Sequence, residues 1–302
     1  MKKILAIVMS LIMVFAFAAC SGDTSSEGAQ PTGYPMTIVD SSGSEVSIES
    51  EPEKIVSLSP SCTEILYALG LGDKMVGVST WCTYPEEATK VEQVGDTFSV
   101  NVERIIELEA DVVFVSGQAA ADAVDALAQA GIAVYCTDTI TLDDIYENIL
   151  AMGTVTNTAE TANAVVDDMK ADVEALKEEF AGYETKSLFI DLGDLYSTSK
   201  EDYLGNSLEL INVENIALDY DYSSPQLSAE TVIESNPDAY IAMCGEADFV
   251  MPDGFDQIAA FKNDEVYYIE YADSRSDMIT RDGPRFVEGL RELGKLVHQI
   301  EK

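Results

Sequence analysis

The chain has 302 residues, of which 47% are apolar, so it can build a sizeable hydrophobic core in one or two domains. Its 55 acidic residues outnumber its 17 basic residues and give a formal net charge of −38. A surface of this sign repels nucleic acid and anionic lipid headgroups, which excludes nucleic acid as a partner. The single histidine, His298, rules out a histidine-rich metal site and argues against Ser-His or Cys-His catalysis.

Residues 1–19 are predicted to be a secretion signal, because Lys2 and Lys3 precede the apolar run ILAIVMSLIMVFAFAA. This run is shorter than the roughly 20 apolar residues that a membrane-spanning helix needs. It ends in FAAC, which resembles the lipid-attachment box of bacterial lipoproteins, although Leu is more usual where Phe17 stands. Cys20 is therefore expected to be lipidated and to begin a polar tether over residues 20–34. The alternatives are an ordinary signal peptide or an uncleaved anchor.

Residues 35–155 are predicted to form a first α/β lobe. MTIVDSSGSEVSIES has two alternating runs around Ser42-Gly43, a pattern typical of a β-hairpin. The short strand patterns KIVSLS, MVGVS, DVVFVSG and IAVYC follow, separated by helical segments such as CTEILYALG and TLDDIYENILAMG. Strands that alternate with helices in this way indicate an α/β architecture.

Residues 156–183 are predicted to form one long helix that joins the first lobe to a second α/β lobe over residues 184–302. Asn157 or Thr158 can cap the helix, and apolar residues recur at steps of three and four up to Phe180. About 24 residues give a length of roughly 36 Å. The second lobe has the strand patterns KSLFIDL, DAYIAM and VYYIEY and ends in a helix that begins near Pro284-Arg285.

Four cysteines besides Cys20 are widely spaced and contain no C-x-x-C motif: Cys62, Cys82, Cys136 and Cys244. An exported chain could pair them, but buried free thiols are equally ordinary. The sequence favours free thiols and leaves the pairing open.

One short pattern occurs twice, as NVERIIELEAD from Asn101 and as SAETVIESNPD from Ser228. Each copy has a helix-capping residue, then an acid two positions later, then an apolar helical segment and an Asp followed by a strand. The acids are Glu103 and Glu230. The helix dipole explains an acid in either first turn, at about 0.3–1 kcal/mol, but not why the two lobes match.

These motifs and their order resemble the substrate-binding proteins of ABC importers for vitamin B12, iron-siderophores and haem, most closely the vitamin-B12-binding members. The resemblance covers residues 35–300 and includes KIVSLSPSCTEILYALGLGDKMVGVS, YPEEATKVEQVG, NVERIIELEADVVFVSG and RDGPR. It implies two α/β lobes joined by a rigid helix, with a ligand in the cleft between them. It also implies that Glu103 and Glu230 dock into arginine pockets of the permease, which would explain the repeat.

The same resemblance implies a set of ligand-binding residues: Ser61, Trp81, Phe98, Gln118, Tyr196, Tyr222, Asp277 and Arg281. An Asp can accept hydrogen bonds from amide arms of a ligand, and an Arg can donate to their carbonyls. The alternative for Asp277 and Arg281 is an ordinary i, i+4 surface pair.

The chain departs from the vitamin-B12-binding pattern at three positions where tryptophans are expected, Thr97, Ser116 and Ser224. Phe98 and Tyr222 stand nearby and can substitute, but fewer aromatic faces weaken the case for a flat corrinoid ring. Haem ligation would fall to a tyrosine, with three candidates: Tyr196, Tyr220 and Tyr222.

The sequence thus predicts an extracytoplasmic, monomeric binding protein, anchored to the membrane through Cys20, with no cofactor or metal site of its own. It would deliver a metal chelate to a permease dimer and its ATPase, with a corrinoid as first choice, an iron-siderophore second and haem third. No G-x-S-x-G, phosphate loop, H-E-x-x-H or Gly-rich dinucleotide turn is present, so no enzyme is expected. A chelatase-like enzyme and a surface sensor are the alternatives from other classes.

Overall fold

The fold was obtained as a computed structural model, which describes residues 33–96, 98–117, 121–271 and 273–300. The predicted signal peptide, Cys20 and nearly all of the predicted tether lie outside the described residues, as does Gln118. Within the described part of the chain, no helix combines the length and the apolar character needed to cross a bilayer.

The first part of the chain forms the predicted hairpin and a four-stranded parallel sheet, here called the first lobe together with their helices. The hairpin pairs β1 (Met36–Val39) with β2 (Glu45–Ile48), and the sheet has the order β4-β3-β5-β6. Its strands are β3 (Ile55–Ser57), β4 (Met75–Val78), β5 (Val112–Ser116) and β6 (Ala133–Thr137). The helices are α1 (Pro60–Ala68), α2 (Val102–Glu107), α3 (Ala121–Gln129) and α4 (Leu142–Val155), with short 3-10 turns at Gly72–Lys74 and Glu86–Lys90.

After the long helix α5 (Ala159–Phe180), a second four-stranded parallel sheet and its helices form the second lobe. Its strands are β7 (Lys186–Asp191), β8 (Val213–Asn215), β9 (Ala239–Ala242) and β10 (Val266–Tyr268). Its helices are α6 (Tyr203–Ser207), α7 (Ala229–Ser235), α8 (Ala259–Lys262), α9 (Ser274–Thr280) and α10 (Phe286–His298), with 3-10 turns at Leu208–Ile211 and Phe255–Gln257.

The two sheets share one topology. In each four-stranded sheet the strand that comes first in the chain lies between the second and the third, and the fourth lies at one edge, giving β4-β3-β5-β6 and β8-β7-β9-β10. The central strands β5 and β9 are almost wholly apolar because both faces are covered: all four residues of β9 and the first four of β5 are buried. The predicted α/β architecture with two lobes is confirmed.

Helix α5 packs against elements on both sides of it in the chain. It has 22 residues, so it spans about 33 Å, and Thr158 stands at its cap position without a capping hydrogen bond. Near its start, Ala162 lies where a Cβ on Gly153 of α4 would come within 2.4 Å. At its end, the ring of Phe180 lies as close to a Cβ built on Gly294 of α10. The domain boundaries predicted at 155 and 183 stay predictions, since the described residues form a single compact unit.

The four cysteines of the described residues are not paired in disulfides. The four thiols are free, and burial raises the pKa of Cys62 to about 12 and that of Cys136 to about 11.

His298 packs against Phe180 and Tyr183, and a ring nitrogen hydrogen-bonds the carbonyl of Ile211 at 2.7 Å. Burial lowers the pKa of His298, which is partly buried beside the end of α5.

Candidate ligand-binding cleft

A pocket of about 360 Å³ lies where the carboxyl ends of the first lobe's strands face the segment around α9. Open α/β sheets place their binding sites at this edge of the strands. The pocket combines serine hydroxyls, one indole and one guanidinium with the carboxylates of the α9 segment. Its lining residues are Leu58, Ser59, Pro60, Ser61, Ser79, Trp81, Ser116, Asp277, Thr280, Arg281 and Asp282.

The first-lobe floor of the pocket is the start of α1. Ser59 stands at the cap position, but its side chain makes no capping hydrogen bond, and its hydroxyl instead accepts from the backbone N–H of Ser116 at 3.0 Å. Pro60 begins the helix and has no N–H to satisfy. Ser61 follows and is buried. The first turn of α1 therefore contributes backbone and hydroxyl groups to the pocket.

Trp81 and Phe98 are exposed aromatic residues of the first lobe that share one partner, Asp96. The side chain of Trp81 is 65% exposed, and its indole N–H donates to Asp96 Oδ2 at 3.3 Å. The other oxygen of Asp96 accepts from the backbone N–H groups of Phe98 and Ser99, both at 2.9 Å, and these bonds lower the pKa of Asp96. One carboxylate thus fixes both aromatic positions, a role that the sequence analysis missed.

Arg281 brings the second lobe to the same pocket. Its Nη2 donates to Asp277 Oδ1 at 2.7 Å and to Thr83 Oγ1 at 2.8 Å, and lies 3.5 Å from the carbonyl oxygen of Trp81. The i, i+4 pair considered from the sequence is therefore present, yet both of its members also line the pocket. Pairing and pocket lining are compatible because a guanidinium has five N–H donors.

A buried glutamate behind the pocket binds two arginines. Glu64 Oε1 accepts from Arg281 Nη1 at 2.8 Å and from Arg285 Nη2 at 2.6 Å, and its Oε2 accepts from Arg285 Nε at 2.8 Å. The guanidinium of Arg285 also stacks on the ring of Tyr84, 3.7 Å from its centroid. Sequence reasoning missed Glu64. Its only signal was a charged residue inside the apolar run CTEILYALG, which a helix buried on several faces does not tolerate without a partner.

The structure brings together four of the predicted ligand-binding residues, Ser61, Trp81, Asp277 and Arg281. Three others do not line this pocket: Phe98, which is 93% exposed, Tyr196 and Tyr222. Tyr196 forms an isolated backbone bridge to Gln226, and the ring of Tyr222 packs on Tyr220. Gln118 lies outside the described residues. Ligand contact stays a prediction for all eight.

The repeated pattern places one exposed acid on each lobe. Glu103 and Glu230 both stand in the first turn of a short helix, α2 or α7, and both are exposed. The predicted caps are present, since the Asn101 side chain accepts from a backbone N–H at 3.1 Å and Ser228 does the same at 3.1 Å. Hydrogen bonds from its own backbone N–H and from Ser228 lower the pKa of Glu230.

The aspartate that closes each repeat has a structural role in both lobes. Asp111 Oδ2 accepts from the backbone N–H of Lys54 at 2.9 Å, just before the first strand of its sheet. Asp238 Oδ2 accepts from the backbone N–H of Ser187 at 2.9 Å, at the start of the other first strand. The two sheets therefore anchor equivalent strands in the same way. Part of the repeat reflects this shared topology, while the exposed acids serve no such contact.

Two α/β lobes of one topology, with a polar pocket at the carboxyl ends of the strands, suit a protein that binds a small ligand. Residues 55–272 match the family of periplasmic binding proteins, and the chain belongs to this family. The resemblance inferred from the sequence is thereby confirmed.

Three relatives show which kinds of binding protein this chain is similar to. The chain is 38% identical to YvrC of Bacillus subtilis, an ABC transporter substrate-binding lipoprotein, over 99% of this chain and 98% of that protein. It is 26% identical to the vitamin B12 binding protein BtuF of Vibrio cholerae, with a TM-score of 0.71 over 82% of this chain and 96% of that one. A possible iron-binding, solute-binding protein of Staphylococcus epidermidis is 27% identical, with a TM-score of 0.72 over 82% and 100%.

The protein is therefore a substrate-binding protein of an ABC importer. Such proteins work with a permease and an ATPase and bind small ligands, and the relatives are transport proteins rather than enzymes. Within the described residues, no three His, Cys, Asp or Glu side chains are grouped as metal ligands.

Proposed function

We propose that this protein binds a corrinoid such as cobalamin and delivers it to the permease of an ABC importer. The observation that carries the proposal is the composition of the cleft. Arg281 and several serine hydroxyls line a small polar pocket, and the exposed ring of Trp81 stands at its edge. A corrinoid offers a flat apolar face for aromatic rings and amide arms for polar groups.

The size of the pocket constrains the binding mode. At about 360 Å³ the pocket is near the lower limit for small-molecule sites, and a whole corrinoid is far larger. Only amide arms would enter it, while the ring would lie on the aromatic rim made by Trp81 and Phe98. Tyr196, Tyr222 and Gln118 would then contact the ligand from the outer part of the cleft.

An iron-siderophore is the second candidate. It is supported by the likeness to the possible iron-binding protein of Staphylococcus epidermidis, which matches this chain as well as the vitamin B12 binding protein does. The missing tryptophans at Thr97, Ser116 and Ser224 point the same way, since they remove aromatic surface that a corrinoid would use. Haem is the third candidate.

The proposal includes an extracytoplasmic location with Cys20 as the lipidated N-terminus and residues 20–34 as the tether. YvrC is a lipoprotein, which supports this part of the proposal. The protein would act as a monomer without a cofactor of its own. Glu103 and Glu230 would dock it to the permease dimer, because each presents a carboxylate at the surface of one lobe.

The test starts with protein purified from native membranes. A visible spectrum separates a corrinoid, a ferric siderophore and a haem, which absorb differently. A colourless preparation is titrated by calorimetry with cyanocobalamin, then with a ferric hydroxamate siderophore, then with haemin. Heat with cyanocobalamin alone supports the proposal, and heat with the siderophore alone transfers it to the second candidate. Mass spectrometry of the N-terminal peptide tests the lipid on Cys20.

A further inference from the structure

Four charged side chains form a chain of ion pairs, in the order Asp277, Arg281, Glu64 and Arg285, between α1 and the segment from α9 to α10. Glu64 and Asp277 supply the negative charges, and Arg281 and Arg285 supply the positive charges. The side chain of Glu64 is 2% exposed and does not line the pocket, whereas Arg281 does. We propose that Glu64 is a positioning residue for ligand binding, which holds Arg281 in its pocket-lining position without touching the ligand.

Glu64 lets two guanidinium groups lie close together. Arg281 Nη1 and Arg285 Nη2 both donate to Oε1, at 2.8 and 2.6 Å, so these nitrogens are at most 5.4 Å apart, the sum of the two distances. Like charges repel at such a separation, and the repulsion is strong where little water screens it. The carboxylate between them removes this cost. Without its charge, the two arginines would separate.

Arg281 can shift when Glu64 loses its charge, because other partners remain for it. Arg285 holds Glu64 with two nitrogens, and its guanidinium is also stacked on Tyr84. Arg281 has only one bond to Glu64, and it keeps two further partners, Thr83 and the pocket-lining Asp277. Loss of the Glu64 charge would therefore shift Arg281 toward these partners and change the donors that a ligand meets.

The ligand part of this inference rests on the proposed function, so the test separates the two. Calorimetry with cyanocobalamin is run on wild type, Glu64→Gln, Arg281→Ala and the double variant. Glu64→Gln keeps the shape of the side chain and should weaken binding at least tenfold. In the Arg281→Ala background the same change should cost less than threefold, because the residue acts through Arg281. Equal losses in both backgrounds, or an unchanged affinity of Glu64→Gln, overturn the proposal.

Two further variants serve as controls. Glu51→Gln removes a carboxylate elsewhere, and Glu64→Asp keeps the negative charge at position 64. Glu51 forms an ion pair with Lys74, with 2.8 Å between Oε1 and Nζ, and neither residue lines the pocket. Glu51→Gln should therefore leave the affinity for cyanocobalamin unchanged. Glu64→Asp keeps the charge but withdraws it by one methylene, and should recover part of the loss. If Glu64→Gln does not fold, the Glu64→Asp variant carries the test, with a wild-type affinity as the overturning result.

A wrong ligand can be distinguished from a wrong role for Glu64. If wild type gives no heat with cyanocobalamin, the proposed function fails, and the crystal structure of ligand-free Glu64→Gln decides the positioning role. A displaced Arg281 guanidinium supports it. An Arg281 whose Nη1 stays 2.8 Å from the side-chain oxygen at position 64, as in the wild type, overturns it.

Discussion

Replacing Gly294 by alanine should destabilise the protein through the ring of Phe180. A Cβ at this position would lie 2.4, 2.7 and 3.1 Å from three carbons of the ring, where ordinary contacts are about 3.5–4.0 Å. The ring is fully buried and is packed against Tyr183 and His298. It therefore has little room to withdraw, and the clash falls on the packing of α5 against α10.

The magnitude follows from two opposing terms. Alanine is better than glycine inside a helix by about 1 kcal/mol. Overpacking of a core costs about 1–3 kcal/mol, and the fixed ring places Gly294→Ala at the upper end. The expected net loss is about 2 kcal/mol in the free energy of unfolding, which lowers the melting temperature by roughly 4–8 °C at 2–4 °C per kcal/mol.

Thermal unfolding followed by circular dichroism measures the effect. Gly182→Ala is the matched control, because nothing lies within 4 Å of a Cβ at that position, and it should stay within about 0.5 kcal/mol of wild type. In a Phe180→Leu background, Gly294→Ala should become neutral or stabilising. A Gly294→Ala protein that melts at or above the wild-type temperature would refute the reasoning.

Three more outcomes are expected. Glu103→Ala combined with Glu230→Ala should abolish uptake in whole cells but leave ligand affinity unchanged; transport at the wild-type rate would reduce these acids to helix-dipole effects. Trp81→Ala and Arg281→Ala should each weaken cyanocobalamin binding by about tenfold or more in calorimetry, since lost contact area or unpaired acceptors cost about 1–3 kcal/mol; corrinoid binding that ignores both changes would show that other residues bind it. Burial lowers the pKa of His298 in the folded protein. Below the ordinary pKa of about 6.5, the unfolded chain therefore binds a proton that the folded chain does not, and the protein loses stability as the pH is lowered. His298→Gln should lose less stability than wild type between about pH 7 and pH 5, and identical slopes would contradict this.

Local patterns predicted most of the fold, because the information for them is local. The all-buried strands read as continuous apolar runs, and the caps of α2 and α7 lie three residues from the N–H groups they satisfy. The ion pairs behind the pocket are different. Glu64 meets Arg281 and Arg285 across 217 and 221 residues of chain, and no local pattern encodes such a pairing.

The candidate site was predicted in part for the same reason. Trp81 and Arg281 came from the family resemblance, which carries the arrangement of the lobes with it. Asp96 accepts hydrogen bonds from the Trp81 indole and from the backbone N–H of Phe98. These bonds form only when the chain folds back on itself between Trp81 and Asp96, which no local pattern predicts. Side chains that support a site leave weaker signals than those that line it, since any residue able to accept the same hydrogen bonds would serve.

The hairpin of β1 and β2 has a consequence for how copies of the protein meet. Strand β6 is the edge of its sheet, and the turn of the hairpin lies against it. The N–H of Cys136 donates to Asp40 Oδ2 at 3.2 Å, and its carbonyl accepts from the N–H of Ser41 at 3.1 Å. The N–H and carbonyl of Cys136, which could otherwise pair with a strand from a neighbour, are thus occupied. Copies crowded on one membrane surface, as the proposed anchor implies, would be protected at this edge from joining their sheets.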